Sequence, residues 1–68
     1  MTRKHYVKIA AALLAERENM DATSYRRSDD AHRWFIAGWE VTVRKVADAL
    51  ASDNPRFDRE RFYTAAGL

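Results

Sequence analysis

Apolar residues recur along this chain at the spacing of α-helices rather than in the alternation of strands. In the first third, Tyr6, Ile9, Ala10, Leu13 and Leu14 fall on one helical face, and Val7 and Ala11 widen it. Thr2 stands where a hydroxyl can cap that segment. A first helix is therefore expected over roughly residues 3–19, ending at Glu18-Asn19-Met20. The following MDATSYRR, residues 20–27, has no period and holds Asp, Thr and Ser, which reads as a loop. Ser28 then offers a capping hydroxyl, and Asp29 and Asp30 suit the positive end of a helix dipole. A second helix is expected from about Asp29 to Ser52. Within it His32, Ile36, Trp39, Val43, Val46 and Leu50 alternate by four and three residues, the spacing of a seam facing a partner helix, with Phe35 and Ala47 flanking it. At 1.5 Å per residue this helix spans roughly 36 Å. That exceeds what so small a domain requires, so either one end projects or Gly38 permits a bend.

The tail is closely punctuated. Asp53-Asn54-Pro55 stops the long helix, because the residue before proline avoids helical angles. Asp58 is placed to cap a short third helix over residues 59–66, and Phe57 can pack on Phe62 as a hydrophobic staple. Gly67 follows where a left-handed C-cap is expected. The fold class predicted is all-α, with three helices (about 3–19, 29–52 and 59–66): a helical hairpin closed by a short C-terminal helix, in a single domain over residues 1–68.

Length changes the picture by making the core thin. A chain of 68 residues buries only about 60% of its unfolded surface. With no cysteine there are no disulfides or thiolate metal sites to staple it, so good helix packing or a partner subunit must compensate. Two Trp, three Tyr and three Phe supply the packing material. The opening MTRKHYVKIAAALLAE resembles a signal peptide briefly, but Lys8 interrupts its apolar run, which ends at Glu16. No stretch approaches the roughly 20 apolar residues of a membrane span. The expectation is a cytoplasmic protein with no membrane partner. Net charge is only +2, from 12 basic and 10 acidic residues, and through the middle of the chain the signs are interspersed, as on a solvated face.

Two segments look familiar together. RKHYVKIAAAL, from Arg3 to Leu13, and NPRFDRERFYTAAG, from Asn54 to Gly67, resemble a family of small bacteriophage and prophage proteins, many from actinobacterial hosts. Those proteins share a K-H-[YF]-x-x-[IL]-A opening and an N-x-x-F-D-R-x-R-F-x-x-A-[AC]-G ending. The match covers about 25 residues, and its tail motif is the more specific. This chain has Ala66 where many such proteins carry a cysteine, which removes a thiol function from that position. The resemblance implies a phage-encoded accessory protein acting inside the host bacterial cell, and implies no catalytic activity.

Candidate chemistry is sparse. His5 and His32 lie 27 residues apart with no second ligand at helical spacing, whereas zinc requires three or four ligands. His32 falls on the seam line and reads as a packed, hydrogen-bonded histidine. Ser24, Ser28 and Ser52 have no histidine–carboxylate arrangement nearby, and no glycine-rich phosphate loop occurs. No enzymatic activity, cofactor, metal or small-molecule ligand is expected. Two binding readings remain. Trp34 and Val41 fall on the side of the second helix opposite Ile36, Trp39 and Val43, with Lys45 beside them. With Arg27 and Arg33 they form a candidate protein interface, for a host protein or for a second copy in a homodimer. In the competing arrangement, Met20 and Tyr25 of the 20–27 loop cover Trp34 within one subunit. The alternative function is nucleic-acid binding by Arg3, Lys4 and Lys8 joined in space by Arg56, Arg59 and Arg61. A virion or assembly component is a third possibility. The loop of about eight residues is too long for a helix-turn-helix.

Overall fold

A computed structural model describes residues 3–68. Among them are three α-helices and no strands: α1 (Arg3–Ala22), α2 (Asp29–Asp53) and α3 (Arg59–Ala66), with a single 3-10 turn at Ser24–Arg26. α1 and α2 form the hairpin, and α3 folds back against both at the end where α1 begins and α2 finishes. The molecule measures 40 × 17 × 14 Å. Its long dimension is that of α2 alone, which at 25 residues is about 37 Å. Of the two alternatives for so long a helix, a projecting end or a bend at Gly38, the helix shows no break at Gly38 and runs uninterrupted from Asp29 to Asp53. The proposed cap at Thr2 lies outside the described residues.

Local side-chain chemistry sets most of the helix ends. The Ser28 hydroxyl accepts from the Ala31 N–H at 3.1 Å, opening α2. The Asp58 carboxylate accepts from the Arg61 N–H at 3.1 Å, opening α3. Gly67 closes α3 at φ 89°, a left-handed conformation that costs glycine little. Through it the Leu68 N–H reaches the Tyr63 carbonyl at 2.9 Å. The end of α1 departs from expectation. It runs three residues past Asn19, to Ala22, because downstream side chains satisfy its last carbonyls. The Thr23 hydroxyl donates to the Asn19 carbonyl at 2.9 Å and the Arg27 guanidinium donates to the Met20 carbonyl. The expected eight-residue loop is thereby reduced to the 3-10 turn and its flanks.

The buried core is gathered under α3. Trp39, Val43, Ala47 and Leu50 come from α2, Ala10 from α1, and Phe62 and Ala66 from α3. Val43 is fully sealed, and Phe62 brings α3 into the same buried cluster. The tail also binds the head of the chain. Phe57 packs on Phe62 with ring centroids 5.4 Å apart, and Tyr6 meets Phe57 edge-on at 5.1 Å. Asn54 donates from Nδ2 to the Tyr6 hydroxyl at 3.0 Å while its Oδ1 accepts from the Arg56 N–H at 3.1 Å. The two motifs noted in the sequence are thus halves of one packing unit.

At the opposite end the hairpin has no third helix over it and is held by polar groups. Arg17 lies 5.1 Å over the Trp39 ring and donates to Asp21 at 3.3 Å. Asp21 meets His32 Nε2 at 3.2 Å, and His32 Nδ1 meets the Arg27 guanidinium at 3.2 Å. Arg27 in turn stacks on Phe35 at 4.4 Å, leaving its Nε buried without a partner. One end of the hairpin is an apolar core and the other a polar clasp.

Candidate interaction faces

The core fixes what α2 shows to solvent. Successive residues are about 100° apart around a helix, so placing Trp39, Val43 and Leu50 inward turns Asp30, Trp34, Ala37, Val41 and Lys45 to the back. Trp34 is 76% exposed and Val41 53%, whereas Trp39, five residues along, is 5% exposed. The loop does not shield this face, because Tyr25 is itself 77% exposed and sits against Arg26. Trp34 and Val41 thus leave apolar surface open to water on one face of α2.

The residues grouped with Trp34 from the sequence do not all gather there. Arg33 lies beside it and forms a shallow depression with Asp30, Trp34 and Ala37. Its guanidinium is 3.9 Å from the Asp30 carboxylate, with both groups well exposed. Lys45 is exposed on the same side. Arg27 is not part of this face. Its guanidinium is turned into the clasp, where it bonds Met20, Thr23 and His32 and stacks on Phe35. Its position on the loop gave no sign of that inward turn.

The basic residues of the two chain ends divide similarly. Arg3, Arg56 and Arg61 line a cleft of about 450 Å³ together with the aromatic residues Tyr6, Phe57 and Phe62 and the acidic Asp58. None of these three guanidinium groups makes an ion pair among the described residues. Lys4 and Lys8 do not line the cleft. Arg59 points away from it and pairs with Asp48 on α2, tying α3 down. Asp48 first, and Tyr63 second, hold the Arg59 guanidinium above its ordinary pKa. Val7, which the sequence assigned to the buried stripe, is instead 58% exposed at the cleft wall. Phe35 is half-exposed on the clasp flank and was not among the candidate site residues.

His32 is the hydrogen-bonded histidine its seam position suggested. Among the described residues no group of three or more His, Cys, Asp or Glu is placed to hold a metal ion. Among the described residues no helix is long and apolar enough to cross a membrane. No protein-family model matches the chain, and no curated protein or solved structure matches it.

Proposed function

We propose that this chain is a non-enzymatic accessory protein, encoded by a phage or prophage and acting in the cytoplasm of the host bacterium by protein–protein contact. The back of α2 is the contact surface, and its partner is a host protein, a second copy of the chain, or both. One observation carries this reading: Trp34 stands 76% exposed on the face opposite a core that buries Trp39 five residues away. Exposed tryptophans of this kind are enriched among the residues that dominate binding energy at interfaces. Val41 extends the apolar surface, and Arg33 and Lys45 supply a charged rim. The resemblance of the head and tail motifs to phage proteins supports the biological setting.

The test compares affinity capture from host lysate by the wild-type chain and by Trp34→Ala, each checked for helix content by circular dichroism. Loss of a specific protein in the variant, with helix content unchanged, is the expected result. Identical behaviour of the two chains, in capture and in self-association, would remove the reading.

A second reading is favoured by the presence of Arg3, Arg56 and Arg61 in the lining of one cleft, which suits a phosphate-bearing partner. Three neutralised phosphates predict a slope of log affinity against log salt of about −2 to −3. A flat salt dependence, or no binding at low salt, refutes nucleic-acid recognition at this end.

A further inference from the structure

We infer that the occupant of the Trp34 face is a second copy of this chain, laid antiparallel with the two-fold axis between Ala37 and Gly38. This rests on the reading of that face as an interface and names what covers it. The argument is one of self-complementarity. A two-fold contact must bring each residue onto a partner position equidistant from the axis, and those two must suit each other. Around the midpoint of residues 37 and 38, Trp34 falls opposite Val41, and Asp30 falls opposite Lys45. The inner pair joins the two apolar side chains, each more than half exposed in the single chain. The outer pair joins opposite charges on both sides of the axis.

Within one subunit those charges are at most loosely paired. Lys45 makes no ion pair among the described residues, and Asp30 has only the 3.9 Å contact with Arg33. A parallel pairing of the same face sets Asp30 against Asp30 and Lys45 against Lys45, which like-charge repulsion disfavours. The charge pattern therefore selects the antiparallel arrangement. Gly38 agrees with it. A Cβ at this position would meet nothing within 4 Å, so nothing inside the subunit requires glycine there. Two helix backbones crossing at the axis do have a use for small side chains at positions 37 and 38. A contact confined to one face of one helix, over positions 30–45, involves fewer residues than the roughly 20–30 a side of stable complexes, so the association is expected to be weak and to depend on concentration.

The experiment is sedimentation equilibrium of the full chain from about 10 μM to about 1 mM, the range in which a small interface dissociates. Wild type is expected to dimerise across that range, and Trp34→Ala to stay monomeric. Asp30→Lys and Lys45→Asp should each weaken the dimer at least about tenfold, near 1.4 kcal/mol, and the double swap should restore it. Because the chain has no cysteine, register can be read separately by oxidative cross-linking. Ala37→Cys should form an intermolecular disulfide readily, and Ser52→Cys, on the same face but far from the axis, should not. A wild-type monomer at the highest concentration, a double swap that fails to restore association, or efficient cross-linking of Ser52→Cys overturns the proposal. If wild type is monomeric while Trp34→Ala still abolishes capture of another protein, this inference falls and the wider reading stands. If neither self-association nor capture depends on Trp34, both fall.

Discussion

The two tryptophans of α2 give a paired perturbation whose outcomes must differ if the helix is faced as described. Trp39→Phe removes an indole N–H that donates to the Leu13 carbonyl at 2.7 Å, a bond worth about 1 kcal/mol net. It also removes on the order of 40 Å² of buried apolar area, about another 1 kcal/mol at 25 cal/mol per Å². A small residual cavity adds to both. The expected loss is about 2–3 kcal/mol, out of a total stability of about 3–10 kcal/mol for 68 residues. Trp34→Phe touches a side chain already in solvent, so its cost stays within about 0.5 kcal/mol. Urea unfolding followed by circular dichroism measures both. With a slope near 1 kcal/mol per molar urea, the midpoint falls by about 2–3 M for Trp39→Phe and hardly moves for Trp34→Phe. Fluorescence supplies an internal check in dilute solution. The Trp39→Phe chain should emit as a hydrated indole, and the Trp34→Phe chain as a buried one. Equal destabilisation by the two substitutions, or a buried spectrum from Trp34 alone, refutes the assignment of faces.

Other substitutions test the two ends of the hairpin separately. Phe62→Ala empties a buried core position and should cost about 3–5 kcal/mol, a large share of the total, read as a lowered urea midpoint by circular dichroism. Arg27→Ala removes the guanidinium that caps α1 and bridges to His32, and should cost about 1–3 kcal/mol in urea titrations. Gly38→Ala adds a methyl into open space on a continuous helix, and should raise the thermal stability of the dilute chain by about 0.5–1 kcal/mol. A loss of stability in that variant would mean that the glycine has a role within the subunit.

What the sequence shows and what it conceals follow from the range of the interactions. Ser28, Asp58 and Gly67 mark helix ends through bonds to residues three or four positions away, so spacing alone reveals them. The Phe57–Phe62 contact is legible for the same reason. The end of α1 is only half legible: the Thr23 hydroxyl bonds Asn19 four residues back, but the second cap comes from Arg27, seven residues beyond the carbonyl it satisfies. A charged loop residue gives no hint that its guanidinium turns inward. Likewise, Arg56, Arg59 and Arg61 form one basic cluster in the sequence, yet α3 carries Arg59 to Asp48 and leaves the other two lining a cleft with Arg3. Exposure of Trp34 follows from helical periodicity once the seam is identified. Whether the loop covered it depended on where Tyr25 points, and no local pattern encodes that.

The unequal ends of the hairpin also set an order of events in folding. Joining Asp21 to His32 closes a segment of 11 residues, whereas joining Tyr6 to Asn54 closes one of 48. The longer closure costs about 1.3 kcal/mol more in chain entropy, roughly a tenfold difference in probability. The polar clasp and the adjoining turns of α1 and α2 can therefore zip up while the tail is still loose, and docking of α3 completes the molecule. Perturbations in the clasp then slow the approach to the native state, while those under α3 mainly hasten its loss.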